Sequence, residues 1–212
     1  MTGTFDLDRG ARELYDASGR RFDAATRTWT FVRSAEKAAN CEAVDIGGAV
    51  AWLNRESGHP LRVPVGVIGP REASAAQLRA ALRVGELLAD RGLMVICGGR
   101  QGVMQAVSEG VARVGGLSIG LLPGPDTAEA NHFVSVAIAT GIGEARNALI
   151  ARAAFAIICI GDSYGTLSEV ALGRQFGKLV VGLEGAARVD GVVHAATPEE
   201  AVDLIAEAVL AV

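Results

Sequence analysis

Lysine, aromatic residues and cysteine are scarce in this chain of 212 residues, and these shortages weigh against several classes of function. The two lysines, Lys37 and Lys178, do not lie in a pattern typical of a Schiff-base site. Amino-acid decarboxylation with pyridoxal phosphate is therefore poorly supported. The formal net charge is −4 and no basic cluster occurs, so nucleic acid is not expected as a partner.

Metal binding and membrane insertion are not expected either. The cysteines and histidines are few and far apart, namely Cys41, Cys97, Cys159, His59, His132 and His194. Because no cysteine has ligand spacing with a histidine, we expect no metal site. Cys97 and Cys159 lie within apolar strand patterns, so they are expected to be reduced core residues. No signal peptide or long apolar span is visible, which favours a cytoplasmic protein without a membrane partner.

Two regions of different character divide the chain. Residues 1–60 are predicted to form an appendage, with a β-hairpin over Arg12–Phe22, a third strand over Thr28–Val32 and a helix over Glu36–Asn54. This appendage is interpreted as a flap or dimerisation arm, or alternatively as a substrate lid. Residues 61–212 are predicted to form a Rossmann-like domain that binds a nucleotide or phosphate.

Strands and helices alternate from Val63 onwards. Apolar runs predict strands over Val63–Ile68, Leu93–Cys97, Leu117–Leu122, Phe133–Ala139, Phe155–Ile160, Leu179–Leu183 and Val192–Ala195. Amphipathic patterns predict helices over Ser74–Arg91, Gly102–Val114, Glu144–Ala153, the segment after Gly165, and a last helix capped at Thr197 with Pro198 at its first position. The fold class is therefore α/β, with a doubly wound, mostly parallel sheet covered by helices on both faces.

Glycines follow the carboxyl ends of several predicted strands, at Gly69, Gly98, Gly99, Gly124, Gly141, Gly143 and Gly161. In open parallel sheets, ligands bind beyond these strand ends. So many small residues at one edge favour a ligand that lies against the backbone over turn geometry alone.

The segment Phe155–Lys178 carries the strongest local pattern. Its buried strand leads through a small-residue turn into a helix, an arrangement that points free backbone N–H groups at an anion. Glu169 could project a carboxylate toward a ligand held by this turn. Alternatively, Thr166 caps the helix and Glu169 bonds back to it in a capping box.

Neither GxGxxG after the first strand nor GxxxxGK[ST] occurs, so ordinary dinucleotide and P-loop sites are not supported. Instead, three ordered motifs stand at βα junctions: Cys97–Met104, Gly143–Asn147 and Gly161–Glu169. Together they resemble the "lysine decarboxylase-like" superfamily over Val63 to the C-terminus. This superfamily includes the LOG phosphoribohydrolases, which release the base from cytokinin nucleoside monophosphates, and the molybdenum-cofactor carrier proteins. The residues of the three motifs resemble those of the carrier-like branch more closely.

The resemblance to LOG enzymes implies that Arg146 and Glu169 would form a catalytic pair. Two features depart from the LOG pattern, because Asp162 and Ser163 stand at glycine positions and Asn147 at a lysine position. A carboxylate at Asp162 would repel a phosphate, unless it points away as a turn residue. Ser163 keeps a hydroxyl donor for a phosphate oxygen.

Two functions of different class follow from these residues. The first is a binding protein for a phosphorylated heterocycle, either a nucleotide or a molybdopterin-type cofactor, held by Gly69, Gly98, Gly99, Arg100, Gly102, Met104, Asn147, Gly161, Ser163, Tyr164, Gly165 and Thr166. Arg100 and Arg146 would be its cations, although Arg100 is alternatively an exposed turn residue. The resemblance also implies a homo-oligomer, a dimer or a tetramer.

The second function is hydrolysis of an N-glycosidic bond. Its transition state is cationic at the sugar, so the Glu169 carboxylate would stabilise it, while Arg146 would hold a phosphate or position Glu169. Departure of a neutral base also requires a proton donor, which the sequence does not identify.

Overall fold

A computed structural model describes residues 3–32 and 40–211. The chain divides into two compact units. One is formed by Met1–Leu61 with Ile205–Val212 and the other by Arg62–Leu204. The C-terminal residues therefore cluster with the first unit, which the sequence pattern did not indicate. In that unit the indole N–H of Trp29 donates to the carbonyl oxygen of Leu210 at 2.7 Å.

The smaller unit contains a five-stranded antiparallel sheet in the order β4-β3-β2-β1-β5. Its strands are β1 Phe5–Asp8, β2 Glu13–Tyr15, β3 Arg20–Asp23, β4 Thr28–Phe31 and β5 Glu42–Val44. The predicted hairpin is confirmed as β2 and β3. The Asp16 carboxylate holds its turn, because it accepts hydrogen bonds from the backbone N–H groups of Ser18 and Arg20 at 3.0 and 2.9 Å.

The predicted helix over Glu36–Asn54 is wrong for residues 40–45, which are described and not helical. Glu42–Val44 form strand β5 beside β1, and the helix α1 spans Ile46–Arg55. Asp45 stops the strand and caps the helix, since its carboxylate accepts from the Gly48 N–H at 2.7 Å. The predicted positions 36–39 lie outside the described residues.

The larger unit contains a seven-stranded parallel sheet in the order β12-β11-β10-β6-β7-β8-β9. Its strands are β6 Val65–Ile68, β7 Val95–Cys97, β8 Ser118–Leu122, β9 Val136–Ala139, β10 Ile157–Ile160, β11 Val180–Leu183 and β12 Val193–His194. The α/β fold class with its parallel sheet is confirmed. Strand β9 is shorter than predicted because residues 131–133 form a turn, in which the Phe133 N–H donates to Oδ1 of Asn131.

Helices follow most strands, as α2 Ala75–Asp90, α3 Val103–Arg113, α4 Asn147–Ala153, α5 Tyr164–Gln175 and the C-terminal α6 Pro198–Leu210. Short 3₁₀ segments cover Thr127–Glu129 and Gly143–Arg146. Thr197 caps α6, because its hydroxyl accepts from the Glu200 N–H at 3.1 Å. The core of the sheet is aliphatic, as composition predicts, with fully buried Ile150, Ile157 and Val180.

Helices α2 and α3 pack closely because each has a glycine that faces the backbone of the other helix. A Cβ atom at Gly85 would collide with the Val107 carbonyl oxygen, and one at Gly110 with that of Leu82. Leu78, in the first turn of α2, is 36% exposed and does not belong to the buried face. Smaller residues form the buried face, namely Ala80, Ala81, Val84, Gly85, Leu88 and Ala89. Small side chains therefore bring α3 and its N-terminus close to α2.

Within the described ranges, no helix has both the length and the apolar composition needed to cross a membrane.

Candidate functional site

A cleft of about 560 Å³ lies at the carboxyl ends of the central strands β6, β7 and β10. Segment 143–147 contributes one side of it, because the chain returns from the edge strand β9 toward the middle of the sheet. Most of the predicted site residues line this cleft, namely Gly69, Gly98, Met104, Arg146, Asn147, Ser163, Tyr164, Gly165, Thr166 and Glu169.

The other predicted site residues lie outside the cleft lining, namely Gly99, Arg100, Gly102 and Gly161. Arg100 forms an ion pair with Glu129 at 3.4 Å, and its carbonyl oxygen accepts from Nδ2 of Asn131 at 2.9 Å. The backbone of Gly99 lies against that of Gly120. These residues shape the loops behind the cleft, so the interpretation of Arg100 as a turn residue fits the geometry better than its interpretation as a ligand cation.

Arg146 ends the 3₁₀ segment and is 5% exposed. Its guanidinium lies against Gly98, where a Cβ atom would stand 2.6 Å from Nη2. A side chain at residue 98 would therefore displace Arg146, which explains the glycine. Nη1 of Arg146 lies 3.4 Å from Oε1 of Glu169. The carboxyl edge thus brings together the two residues that the sequence paired, although 22 residues separate them in the chain.

The capping-box interpretation of Glu169 is wrong. Ser163 is the N-cap of α5, and its hydroxyl oxygen accepts from the Thr166 N–H at 3.1 Å. Thr166 therefore lies inside the first turn, and Glu169 one turn further projects its carboxyl group toward Arg146. Burial raises the pKa of Glu169 to about 8, and the nearby Arg146 opposes that rise. At neutral pH much of the Glu169 population carries a proton.

Polar groups in the floor of the cleft lack partners. Nε of Arg146 and Oδ1 of Asn147 are buried without a hydrogen-bond partner in the part of the chain that the structure describes. Nδ2 of Asn147 donates to the Ser168 hydroxyl at 3.3 Å. Buried polar groups in native proteins almost always have partners. These two adjacent residues are therefore the candidates in the cleft for hydrogen bonds with a bound molecule.

Sequence reasoning missed several residues of the cleft. Arg71 and Glu144 line it and approach each other to 3.8 Å, and Ile68, Pro70 and Ser168 complete the lining. Glu144 lies within the motif Gly143–Asn147, and Arg71 follows Gly69 by two residues, so their positions beside recognised motifs were a usable signal. Asp162 is exposed and does not line the cleft, which favours its interpretation as a turn residue.

The described residues contain no group of three or more histidine, cysteine, aspartate or glutamate side chains arranged to hold a metal ion. Cys97 and Cys159 are buried and free, and burial raises the pKa of both thiols. The chemistry available in the cleft is therefore that of two arginines, two carboxyl groups, one amide, four hydroxyl groups and the N-terminus of α5.

A parallel sheet with a ligand-sized cleft at its carboxyl edge defines the class of Rossmann-like binding folds. Comparison with protein families narrows this class: residues 62–209 match the SLOG cluster4 family, and the chain belongs to that family. An uncharacterized protein of Archaeoglobus fulgidus is 41% identical over 139 residues, covering 66% of this chain and 91% of the relative. The family resemblance inferred from the three motifs is confirmed.

Solved structures similar to this chain include two proteins named for molybdenum cofactor. The molybdenum cofactor binding protein of Rippkaea orientalis is 34% identical with a TM-score of 0.67, covering 70% of this chain and 99% of that protein. The molybdenum cofactor carrier protein of Chlamydomonas reinhardtii is 33% identical with a TM-score of 0.65. The match covers 71% of this chain and 100% of the carrier protein. The uncovered part of this chain is close in size to the predicted appendage.

Proposed function

We propose that this protein binds a phosphorylated heterocycle in the cleft and acts as a carrier-like protein for a molybdopterin-type cofactor, which would be its cargo. The unpaired Nε of Arg146 and the unpaired Oδ1 of Asn147 carry this proposal. They belong to adjacent residues that both line a cleft of about 560 Å³, and an unpaired donor together with an unpaired acceptor suits the edge of a heterocycle or an anionic oxygen.

The N-terminus of α5, which also lines the cleft, suits a phosphate. The first N–H groups of a helix lack intrahelical acceptors and attract anions. In α5 the Ser163 hydroxyl already accepts from Thr166, so the N–H groups of Tyr164 and Gly165 are available to a phosphate oxygen. Tyr164 is 95% exposed at the cleft, where its ring could stack on a heterocycle.

The similar structures add independent support for this ligand class. The proteins of Rippkaea orientalis and Chlamydomonas reinhardtii are described as binding or carrying molybdenum cofactor, and they align along nearly their whole length. A cargo of the same class would need a cleft with an anion site and unpaired polar groups, and the N-terminus of α5 together with the unpaired groups of Arg146 and Asn147 supports such a cargo.

The molecule that copurifies with the protein tests the proposal. A pterin absorbance together with stoichiometric molybdenum or phosphate would support the carrier function, and a purine monophosphate would favour a nucleotide ligand. Arg146→Ala, purified in parallel, should lose the bound molecule. If neither protein retains a ligand and a thermal-shift screen over pterins and nucleoside monophosphates finds no stabilisation, the proposal is wrong.

A second candidate function is hydrolysis of a nucleoside 5′-monophosphate to the free base and ribose 5-phosphate. One observation favours it: the pKa of Glu169 is raised to about 8, which supplies the proton donor that the sequence left unidentified. Glu169 lies beside Arg146, so one residue could protonate the departing base while the other holds the phosphate.

Product analysis separates the two functions. Incubation with AMP should yield adenine if the protein is a hydrolase, and Glu169→Gln should abolish the reaction while the protein still binds AMP. A pure carrier would bind a ligand without releasing a base in either form.

We further propose two domains, residues 1–60 and 61–212, and a homo-oligomer of dimeric or tetrameric size. The assembly is supported by exposed apolar side chains on two helices that contact each other, Leu149 on α4 and Leu167 on α5, which an interface between copies of the chain would bury.

A further inference from the structure

The segment Pro70–Arg71, which follows β6, has a fixed backbone. The Val103 N–H at the start of α3 donates to the Pro70 carbonyl oxygen at 3.2 Å. Gly102 faces the carbonyl groups of Pro70 and Arg71. A Cβ atom at residue 102 would stand 2.5 Å from the Pro70 carbonyl oxygen and closer still to the Arg71 carbonyl oxygen. The start of α3 therefore holds the Cα atom of Arg71 in place at the rim of the cleft.

The side chain of Arg71, in contrast, is weakly held. It is 48% exposed, and its ion pair with Glu144, which is 68% exposed, measures 3.8 Å. No other hydrogen bond or ion pair of its side chain occurs within residues 3–32 and 40–211. Exposed pairs of this kind contribute on average less than about 1 kcal/mol, so Arg71 can change partners at little cost.

The other arginine of the cleft is not free in this way. Arg146 is 5% exposed and lies 3.4 Å from Glu169 under Gly98. Its position is set by these buried contacts, whereas the half-exposed guanidinium of Arg71 has one long ion pair on a backbone that α3 holds in place. The cleft thus has one fixed cation in its floor and one adjustable cation at its entrance.

We propose that Arg71 is a second anion-binding residue of the cleft, and that it exchanges Glu144 for the phosphate of an entering ligand. This inference rests on the proposed function, because it requires a phosphorylated ligand in the same cleft. Glu144 then acts as an internal competitor, which occupies Arg71 when the cleft is empty and is displaced only by an anion of higher charge density than a single carboxylate. The pair would therefore select phosphorylated ligands over their unphosphorylated counterparts.

Two neutralising variants test the exchange with opposite expected effects. AMP, adenosine and inorganic pyrophosphate are titrated by calorimetry into the full-length protein, Arg71→Gln and Glu144→Gln. Arg71→Gln should weaken AMP binding about tenfold, the loss expected for one charged hydrogen bond at a partly exposed site. Glu144→Gln should strengthen AMP binding about two- to fivefold, because it removes the competing exposed ion pair. Adenosine binding should be unchanged in both.

Matched controls exclude a general effect of net charge. Arg79→Gln and Glu72→Gln make the same charge changes at exposed residues that do not line the cleft, and both should bind AMP like the wild type. If Glu144→Gln weakens AMP binding, or if Arg71→Gln leaves it unchanged while the wild type binds AMP, the exchange is refuted and the proposed function stands. If the wild type binds neither AMP nor pyrophosphate, the exchange is refuted, whereas the carrier function is decided separately by the molecule that copurifies and by the thermal-shift screen over pterins.

Discussion

Glu169→Gln should remove a pH dependence of stability that originates in one buried carboxyl group. Burial raises the pKa of Glu169 from its ordinary value of 4.5 to about 8 in the folded protein. Below pH 4.5 the carboxyl group is protonated in both folded and unfolded chains. As the pH rises from 4.5 to 8, the unfolded chain releases the proton and the folded chain retains it, so the folded state loses stability; above pH 8 the loss is complete.

The size of this loss follows from the two pKa values. Their difference of roughly 3.5, at about 1.4 kcal/mol for each pKa unit, corresponds to about 5 kcal/mol in total. About 2 kcal/mol of it is already lost at pH 6 and nearly all at pH 9. Because glutamine stays neutral, the free energy of unfolding of Glu169→Gln should exceed that of the wild type by an amount that grows by about 3 kcal/mol between pH 6 and pH 9.

Urea unfolding at pH 6, 7, 8 and 9, followed by circular dichroism, measures this difference. Fluorescence is a poor probe, since both tryptophans, Trp29 and Trp52, belong to the smaller unit. The control is Glu72→Gln at an exposed position, whose profile should run parallel to that of the wild type. If Glu169→Gln also runs parallel to the wild type, Glu169 is ionised throughout, and its assignment as a proton donor fails with the calculation.

Other outcomes test the site, the fold and the assembly. Arg146→Ala should weaken binding of AMP by about 1.5–3 kcal/mol in calorimetry, and an unchanged affinity would remove Arg146 from the ligand site. Gly85→Ala should lower the free energy of unfolding by about 3 kcal/mol, because its Cβ would collide with the Val107 carbonyl oxygen; Gly165→Ala, with no atom nearer than 3.9 Å, should be close to neutral. Light scattering at micromolar concentration should show a dimer or tetramer, and a monomer would contradict the predicted assembly.

The parallel sheet and the edge that holds the cleft could be predicted from the sequence. Strand β10, Ile157–Ile160, is buried at every position, and a continuous apolar run is what a strand covered on both faces requires. The capped start of α6 at Thr197 and Pro198 was equally local, because a cap depends on residues within one turn. Such features survive in the linear sequence, since the interacting groups are neighbours along the chain.

The cap of α5 shows where local reasoning failed. Ser163 and Thr166 both carry a hydroxyl group before a helical pattern, and spacing alone also permits Thr166 with Glu169. In the structure Ser163 takes the cap, which releases Glu169 to pair with Arg146. Which residue caps α5 depends on where the turn after β10 ends. Burial of the Glu169 carboxyl group beside Arg146, which is distant in the sequence, decided where that turn ends.

Strand β5 and the pair Arg71–Glu144 were likewise decided by tertiary structure. Glu42–Val44 are extended because they pair with β1, a partner more than 30 residues earlier in the chain. Arg71 meets Glu144 because the chain returns from the edge strand β9 to the middle of the sheet, and no spacing rule describes that crossing. The sequence by itself thus determined the strands of the parallel sheet and the edge that holds the cleft, while pairing between distant strands decided β5 and which charged groups face each other across the cleft.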